Sequence, residues 1–323
     1  MRAFVTGGTG FIGSHLVEYL LQHGFEVYCL VRREPRWLRG LPVRFLYGDG
    51  LDERALREGL SEAEYVFHVA GLTRAPDWES LYRANVEATE RLLELARHHG
   101  SRIRRVLLVS SQAAVGPSPN GPVTETSPLR PISAYGRSKA LMEERVQERF
   151  SDLPFTIVRP PAVYGPRERD IYTFFRTAAR GLVAIVGSGR EPELSLVHVR
   201  DLVRGIYLAA VRPEGLREVF FISSERFYSW RELVAVTLRA LGRWALIVPV
   251  PRNLVVPIGA VVEHVGRLLG TYPPLNREKA RELVARWTCS SEKAMRLLGY
   301  RQEIPIEQGI PETIAWYRAH GWL

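Results

Sequence analysis

The stretch Thr6-Gly7-Gly8-Thr9-Gly10-Phe11-Ile12-Gly13 decides the fold of this chain. It follows the apolar run Ala3-Phe4-Val5 and precedes a helical pattern that is predicted to begin near Ile12. Glycines at positions 7, 10 and 13 permit a tight turn and a close approach of the backbone to a pyrophosphate, to which the helix N-terminus presents N–H groups. Between the first strand and helix of a βαβ unit, such a tract predicts a dinucleotide-binding loop.

Short apolar runs alternate with helical patterns through the first half of the chain. After residues 3–5, the runs lie at residues 26–31, 43–46, 65–69, 106–109 and 155–158. This alternation predicts a Rossmann-type doubly wound parallel sheet, an α/β fold with helices on both faces. After Gly165-Pro166 the alternation of apolar runs and helical patterns becomes more irregular. We therefore expect a dinucleotide-binding domain at residues 1–165 and a smaller C-terminal α/β substrate-binding lobe at residues 166–323.

The second lobe is predicted to be rich in helices. The patterns place them near residues 200–211, 276–286 and 291–298, and another follows Ser229, which forms a capping-box signal with Glu232. Pro311 cannot donate a backbone hydrogen bond, so it is predicted to begin the last helix. The apolar stretch from Leu254 to Leu269 is too short and too interrupted to span a bilayer, and its spacing favours a core or interface helix over a membrane-surface helix.

The composition of the 323 residues, 46% hydrophobic and 24% charged, is that of an ordinary soluble globular protein. No signal-peptide pattern precedes the glycine loop, so a cytoplasmic location is expected. Two distant cysteines predict neither a disulfide framework nor a metal site. The net charge of +9 comes from scattered arginines without a nucleic-acid motif, so no nucleic-acid partner is expected.

The end of the second predicted strand indicates which dinucleotide is bound. An acidic residue there would accept hydrogen bonds from a ribose 2′-hydroxyl, but this chain has Arg32 and Arg33. Two guanidinium groups could hold a 2′-phosphate, so NADP is favoured and NAD is the alternative. Asp49, followed by Gly50, ends the third strand near the expected adenine position, although it could also be a simple turn residue.

Tyr135 and Lys139 lie four residues apart, which makes them neighbours on one helical face. An ammonium group beside the phenol would lower the tyrosine pKa from about 10 toward the working range and make Tyr135 a general acid or base. Lysine also suits ribose hydroxyls, and this arginine-rich chain has lysine only at positions 139, 279 and 293. A surface pair that only stabilises a helix is the alternative.

Ser111 ends the predicted strand at residues 106–109, at the edge of the sheet where ligands bind. Its hydroxyl could hold a substrate oxygen while Tyr135 transfers a proton, or it could satisfy backbone groups at the strand end.

Several motifs together carry a family resemblance: residues 6–13, Gly48-Asp49, His68-Val69-Ala70, Asn85-Val86 followed by Thr89, residues 109–116 (VSSQAAVG), 135–139 (YGRSK), 159–166 (RPPAVYGP) and 198–201 (HVRD). Over nearly its whole length the chain resembles the extended short-chain dehydrogenases/reductases of the NAD-dependent epimerase/dehydratase family. The branch that it resembles is that of the 3β-hydroxysteroid dehydrogenases and dihydroflavonol reductases, also through residues 254–269 and 271–276.

The resemblance implies catalytic roles for Ser111, Tyr135 and Lys139 and a homodimer built on helices near residues 85–99 and 136–149. Asn85 either supports this site or is a helix-cap or core polar residue. The residues implied to bind the cofactor, besides Tyr135 and Lys139, are Thr6, Gly7, Gly10, Phe11, Ile12, Gly13, Arg32, Arg33, Asp49, Gly50, Val69, Ala70, Gly71, Val109, Pro160 and Val163.

Departures from the family pattern narrow the expected reaction. The sugar dehydratases of this family resemble one another in having an Asp-Glu pair beside the serine. This chain has Gln112 and Ala113 at those positions, so a dehydration reaction is not expected. Leu194 stands where many nucleotide-sugar epimerases place an arginine for the substrate diphosphate. We therefore expect a hydride-transferring oxidoreductase for a small carbonyl or alcohol substrate. A nucleotide-sugar epimerase and a non-catalytic dinucleotide sensor are the alternatives.

Overall fold

The computed structural model describes residues 1–99, 102–268, 273 and 275–323. Within them lie the strands β1 (Arg2–Thr6), β2 (Glu26–Val31), β3 (Val43–Tyr47), β4 (Tyr65–His68), β5 (Arg105–Val109), β6 (Phe155–Arg159), β7 (Ala162–Tyr164), β8 (Leu182–Val186), β9 (Glu193–Leu194), β10 (Leu196–His198), β11 (Val219–Phe221), β12 (Tyr228–Ser229) and β13 (Leu246–Val250).

The helices in the same part of the chain are α1 (Phe11–Gln22), α2 (Glu53–Glu62), α3 (Trp78–Tyr82), α4 (Ala88–His99), α5 (Gln112–Val115), α6 (Ala134–Arg149), α7 (Tyr172–Ala179), α8 (Val199–Val211), α9 (Trp230–Leu241), α10 (Arg252–Leu268), α11 (Arg277–Val284), α12 (Glu292–Leu298) and α13 (Ile306–Ala319). A π-helical turn, Arg83–Glu87, joins α3 to α4.

A seven-stranded sheet with the order β3-β2-β1-β4-β5-β6-β11 forms the centre of the molecule. All neighbouring strands are parallel. In β1, Val5 pairs with Cys29 of β2 on one side and with Phe67 of β4 on the other. The predicted Rossmann-type fold is confirmed, and its strand order reverses between β1 and β4, where ligands bind in such sheets.

Helices cover both faces of the sheet because the strands carry apolar side chains on both sides. On one face, α1 buries Leu16 and Leu20 against β1 and β2, and α8, which carries Leu202, packs beside it on β5 and β6. On the other face, α2, α4 and α6 bury residues such as Leu93 and Met142 against the same sheet. A third apolar cluster, formed by α7, α9, α13 and nearby strands, is the core of the C-terminal part.

The seventh strand comes from beyond residue 165. After α8 packs on the sheet, β11 pairs with β6, with Phe220 opposite Val158. The chain therefore returns to the nucleotide half before it completes the C-terminal lobe. The division into two domains at residue 165 therefore stays a prediction. The structure adds that β11, from beyond this residue, pairs with β6 in the sheet of the first domain.

The predicted helices near residues 200–211, 276–286 and 291–298 correspond to α8, α11 and α12. The capping box at the start of α9 is present, since Ser229 and Glu232 exchange hydrogen bonds between side chain and backbone. The prediction for Pro311 is wrong, because it lies inside α13, which begins at Ile306. Burial of Ile310, Ile314 and other side chains of that helix outweighs the cost of one missing backbone bond.

The predicted apolar helix at residues 254–269 corresponds to α10, although Leu269 lies outside the described residues. Most of the segment at residues 271–276 also lies outside the described residues, so the structure does not test the family resemblance there. In the described ranges, no helix combines the length and the apolar character needed to cross a membrane. Cys29 and Cys289 are both buried thiols, and burial raises the pKa of each to about 12.

Candidate active site

The glycine loop lies at the point where the strand order reverses, and it touches the loop after β4. Gly7 has φ +75°, and a Cβ there would lie 2.5 Å from the backbone N of Ala70. A Cβ on Gly13 would lie 2.2 Å from the carbonyl oxygen of Gly7. Glycine is needed at both positions, because any side chain would push apart the β1 loop, the β4 loop and the start of α1.

The N-terminus of α1 is open for an anion. Its N-cap is Gly10, no side chain caps the helix, and its first turn carries no acidic residue. The Gly10 N–H instead donates to the Gly7 carbonyl over 3.0 Å, which holds the turn closed. A shallow backbone cradle before an uncapped helix N-terminus fits the pyrophosphate of a dinucleotide.

A cavity of about 570 Å³ opens beside this cradle, between the sheet and the C-terminal lobe. Of the predicted site residues, ten line it together: Phe11, Ile12, Val69, Gly71, Val109, Ser111, Tyr135, Lys139, Pro160 and Val163. Thr6, Gly7, Gly10, Gly13 and Ala70 form the adjoining loops. Arg32, Arg33, Asp49 and Gly50 are not among the described residues that line the cavity.

Ser111 and Tyr135 meet at the cavity wall. Ser111 caps the N-terminus of α5, where its Oγ accepts a hydrogen bond of 3.1 Å from the Ala113 N–H, and its side chain also shares a hydrogen bond with that of Tyr135. Tyr135 stands in the first turn of α6, directly before Gly136, where a Cβ would lie 2.4 Å from the Ala113 carbonyl oxygen. This close packing of α5 on α6 holds the two hydroxyl groups together.

Burial raises the pKa of Tyr135 to about 12, although the hydrogen bond from Ser111 acts in the opposite direction. The prediction that Lys139 would lower this pKa is wrong for the chain by itself, because desolvation of the phenolate dominates and the negative charge of Glu282 raises the pKa as well. Tyr135 is therefore a neutral phenol at neutral pH, and it carries a proton that it can donate.

Lys139 is buried one turn further along α6, with 6% of its surface exposed. Its Nζ donates a hydrogen bond of 2.8 Å to the carbonyl oxygen of Val109, at the end of β5. Desolvation lowers the pKa of Lys139 to about 8, while the negative charge of Glu143 opposes this shift. A Cβ on Gly71 would lie 3.3 Å from this Nζ, so glycine leaves room for the ammonium group.

Glu143, which was not predicted from the sequence, supports the site through buried hydrogen bonds. Its carboxylate is fully buried, accepts two hydrogen bonds of 3.0 Å from Nε of Arg159, and accepts another from the Ser110 hydroxyl. A signal was available, since Glu143 follows Lys139 by four residues and therefore shares its helical face. The pair joins α6 to the ends of β5 and β6, which carry the walls of the cavity.

Asn85 belongs to a second buried network that supports the loop after β4. Its side chain accepts from the Leu72 N–H over 2.8 Å and donates to the Ser138 hydroxyl over 2.8 Å. The structure thus places it as a support beside the site, at the π-helical turn. His68 continues the support, because its ring nitrogens bond to the hydroxyl groups of Thr6 and Thr89 at 2.7 and 2.9 Å.

Burial lowers the pKa of His68 to about 3, and the charge of Lys139 acts in the same direction. His68 is therefore neutral, and it serves as a bridge between β1, β4 and α4 rather than as an acid or base.

The wall of the cavity opposite the sheet is largely apolar. Leu194 of β9 lies in this wall, at the position where the resemblance to nucleotide-sugar epimerases would place an arginine. Gln112 lies beside Ser111 with 3% of its surface exposed, and its side-chain nitrogen has no hydrogen-bond partner among the residues that the structure describes. Sequence reasoning did not find the remaining apolar residues, which come from five distant segments: Phe174, Phe175, Leu196, Trp230, Leu233, Trp287 and Ile310.

Arg32 and Arg33 follow β2 directly and are exposed. In the described part of the chain, neither guanidinium group forms an ion pair with a carboxylate. Asp49 accepts a hydrogen bond of 2.8 Å from the Leu51 N–H and so shapes the turn after β3. Gly50 approaches α4 closely, since a Cβ on it would lie 3.2 Å from Cβ of Ala88.

Comparisons with known proteins identify the family of this chain. A model of the NAD dependent epimerase/dehydratase family matches residues 3–223. The chain is 39% identical over 342 residues to Sterol demethylase protein B of Methylococcus capsulatus, and the alignment covers 100% of each. It is 34% identical over 323 residues to Ceramide reductase of Caulobacter vibrioides, which covers 99% of this chain and 95% of that protein.

The structure also matches UDP-glucose 4-epimerase of Thermotoga maritima, solved with UDP-glucose, with a TM-score of 0.81, 25% identity and coverage of 99% of each chain. The reductases and dehydrogenases among the relatives support an oxidoreductase, and the epimerase neighbour supports the alternative. Fold, glycine cradle and relatives agree: the chain belongs to the NAD dependent epimerase/dehydratase family, and it is a nicotinamide-dependent enzyme of the extended short-chain dehydrogenase/reductase type.

Proposed function

We propose that this protein is an NADP-preferring reductase that converts a ketone on a largely apolar substrate into an alcohol. The observation that carries the proposal is the arrangement of Ser111, Tyr135 and Lys139 along one wall of a cavity that is lined mainly by apolar surface. That cavity adjoins the uncapped N-terminus of α1, where a dinucleotide fits.

The bound dinucleotide would supply the hydride for the carbonyl carbon. Ser111 would hold the carbonyl oxygen by a hydrogen bond, and Tyr135 would donate its phenolic proton to that oxygen as the alcohol forms. Lys139 would hold the ribose hydroxyls, for which its compact ammonium group is suited. The backbone from Pro160 to Val163 would hold the carboxamide of the nicotinamide.

The protonation of Tyr135 suits the role of proton donor in a reduction. Burial raises its pKa to about 12, so the phenol keeps its proton at neutral pH. A neutral phenol can give a proton to a developing alkoxide, and the same residue takes that proton back in the reverse oxidation.

Arg32 and Arg33 support the preference for NADP. They are exposed at the end of β2, where a carboxylate would accept hydrogen bonds from the 2′-hydroxyl of NAD. Unpaired guanidinium groups are instead suited to the two oxygens of a phosphate monoester. Asp49 and Gly50 would lie under the adenine at the end of β3.

An apolar substrate is supported by the cavity wall and by the relatives. Leu194, Trp230 and Leu233 form an apolar part of the wall, although Arg74 and Lys279 also line the cavity. The Caulobacter relative is named for ceramide, and the Methylococcus relative is named for a sterol. Both names denote lipids with a polar oxygen on a large hydrocarbon body, which is the substrate type that this wall fits.

Nucleotide-sugar epimerisation is the second candidate, favoured by the structural match with UDP-glucose 4-epimerase. It would use the same three side chains with a retained cofactor. A missing positive charge at Leu194 weakens this candidate, because the substrate diphosphate would lack a partner there.

Two measurements test the function together. Mass spectrometry of cofactor released from the purified protein distinguishes a tightly retained NAD from an exchangeable NADPH. A panel of ketones is then assayed with NADPH, using wild type and Tyr135→Phe. We expect Tyr135→Phe to lower kcat by a factor of about 10²–10⁴ while cofactor binding is retained. Full activity of Tyr135→Phe would refute the mechanism, and activity only toward a UDP-sugar would favour the epimerase.

We also propose a homodimer formed through α4 and α6. These helices lie side by side, and Arg149 of α6 pairs with Glu90 and Glu94 of α4, so that they form one surface. Light scattering of the purified protein should give twice the mass of the 36.7 kDa chain.

A further inference from the structure

Gln112 is the exception among the polar side chains beside Ser111. Its side chain is buried, and the side-chain nitrogen has no hydrogen-bond partner in the part of the chain that the structure describes. The neighbouring hydroxyl groups are partnered, since Ser110 donates to Glu143 and Ser111 shares a hydrogen bond with Tyr135. Buried polar groups nearly always have a partner, so an unpartnered one beside a cavity indicates a group that a ligand binds.

The backbone of Gln112 is held on both sides. Its N–H donates to the carbonyl oxygen of Pro160 over 2.8 Å, and its own carbonyl oxygen accepts from the Gly116 N–H over 3.0 Å. Gln112 is also the first residue of α5, directly after Ser111. A fixed backbone is what a side chain needs in order to hold a substrate atom in one place.

Gln112 lines the same cavity as Ser111 and Tyr135. Consecutive Cα atoms lie about 3.8 Å apart, so the ligand atoms that Ser111 and Gln112 can reach are close neighbours. In the function proposed above, Ser111 holds the oxygen of the ketone. A polar atom of the substrate that contacts Gln112 would then lie within a few bonds of that carbonyl group.

Four charged side chains of the cavity lining already pair with each other. Arg74 lies 3.2 Å from Asp170, and Lys279 lies 3.1 Å from Glu282. All four are also more exposed than Gln112. A substrate would have to compete with their present partners and with water, whereas Gln112 offers an unpartnered donor that is shielded from solvent.

The chemistry of a carboxamide limits what Gln112 can bind. Its NH₂ group donates, its oxygen accepts, and it carries no charge. A hydroxyl or carbonyl oxygen of the substrate could therefore accept a hydrogen bond from it, whereas a phosphate would find no opposite charge in this side chain. A substrate with only hydrocarbon at this place would leave the nitrogen unpartnered in a site closed to water, which disfavours binding.

We propose that Gln112 binds a second oxygen of the substrate, a hydroxyl or carbonyl oxygen one or two carbons from the ketone. This inference rests on the proposed function, and it narrows the substrates from ketones on an apolar body to hydroxy ketones and dicarbonyl compounds. Ser111 and Gln112 would hold the two oxygens side by side. The two hydrogen bonds together would limit rotation of the carbonyl group in a cavity whose other contacts with it are mainly apolar.

Binding and turnover of matched ketones test the proposal. The probes are a long-chain methyl ketone, the corresponding hydroxymethyl ketone and the β-hydroxy ketone of equal chain length. Binding is followed without cofactor by tryptophan fluorescence, because Trp230 and Trp287 line the cavity, and turnover is followed with NADPH. We expect wild type to bind at least one of the hydroxy ketones about 10–100-fold more tightly than the methyl ketone.

Gln112→Met keeps the length of the side chain and removes its hydrogen bonds. We expect this variant to lose the preference for the hydroxy ketone, while its affinity for the methyl ketone stays the same or increases. Its melting temperature should stay the same or rise, because a buried amide without a partner lowers stability. Gln112→Leu is the second variant if Gln112→Met does not fold.

Leu194→Met is the matched control, because it changes the cavity wall without removing a polar group and should affect all the ketones by the same factor. Equal affinity of wild type for the probes would overturn the proposal, as would failure to bind any of them. A purely structural role of Gln112 predicts that Gln112→Met lowers the melting temperature and weakens all the ketones equally, which would overturn it too. Selective binding of a hydroxy ketone without NADPH-dependent turnover would refute the proposed reductase and still support the contact with Gln112.

Discussion

The Nζ of Lys139 donates a hydrogen bond of 2.8 Å to the carbonyl oxygen of Val109, so the cation of α6 is fixed at the end of β5. Its pKa is lowered to about 8 by desolvation. The ammonium group is therefore charged below pH 8 and becomes neutral as the pH rises through that value, while Tyr135, with a pKa of about 12, keeps its proton.

We expect the affinity for the reduced cofactor to fall as the pH rises through about 8, because Lys139 loses the charge that we propose to hold the ribose. Fluorescence titrations with the reduced cofactor, carried out between about pH 6 and pH 10, measure this affinity, because a lysine of lowered pKa titrates in that range. Glu143→Gln should shift the fall to lower pH, since the Glu143 charge raises the Lys139 pKa. An affinity that is constant through this range would exclude Lys139 as the ribose-binding cation.

Lys139 also lowers the stability of the protein at neutral pH. Its pKa in the folded chain lies below the ordinary value of 10.5, so at pH 7 the buried charge costs about 2–4 kcal/mol relative to the unfolded chain. Lys139→Met should therefore raise the free energy of unfolding at pH 7 while abolishing turnover. The gain should shrink as the pH rises from 8 toward 10.5, which denaturant titrations at several pH values can show.

Gly13→Ala should destabilise the cofactor loop, because a Cβ there would lie 2.2 Å from the Gly7 carbonyl oxygen and the backbone must move. Gly10→Ala is the matched control, since its Cβ would lie 3.2 Å from the same oxygen and its φ is −81°. We expect the melting temperature to fall clearly more for Gly13→Ala than for Gly10→Ala. Equal losses would mean that the close contact within the loop does not limit its geometry.

Arg32→Ala and Arg33→Ala test the contact with the 2′-phosphate. Removal of the arginine that makes this contact should weaken NADPH binding by about tenfold and leave NADH binding nearly unchanged. Arg39→Ala is a suitable control, because Arg39 is exposed on the next turn and lies 3.9 Å from Glu34. Fluorescence titrations with both reduced dinucleotides measure the preference. A wild type that binds NADH as tightly as NADPH would contradict the assignment of NADP.

The buried pair of Glu143 and Arg159 predicts a non-additive pair of substitutions. Arg159→Met alone leaves a buried carboxylate without its partner and should cost about 3–5 kcal/mol of unfolding free energy. Combining it with Glu143→Leu should cost less than the sum of the single changes, because neither charge is then left alone. Denaturant unfolding of the four proteins of the cycle measures the coupling, and additive losses would show that the pair contributes no coupling energy.

Much of the nucleotide half could be predicted from the sequence, because each of its first six strands is a short apolar run bounded by turn residues. β11 could not, since Val219–Phe221 is three residues long and its pairing with β6 depends on a contact across sixty-two positions of sequence, from Phe220 to Val158. Pro311 was misplaced because burial of one side of α13 overrides the local preference of proline.

The candidate site was predictable only in part. Glycine spacing and the four-residue interval from Tyr135 to Lys139 are local patterns, and the structure places Tyr135 and Lys139 in the lining of one cavity, with the glycine loop beside it. The raised pKa of Tyr135 depends on its burial in the folded chain and on the charge of Glu282, which is distant in sequence, so no local pattern indicated it. The apolar wall is likewise assembled from segments that are distant in sequence, so no local pattern indicated it.

The return of the chain to its first sheet also bears on how the protein is made. The Rossmann sheet lacks its outer strand until residues 219–221 have been synthesised, and the family model ends just beyond them, at residue 223. Until then, β6 presents an unpaired edge, and unpaired edges invite association with other chains. We therefore expect a shortened chain that stops at residue 165, which leaves the β6 edge unpaired, to aggregate more than the full chain when the two are expressed side by side.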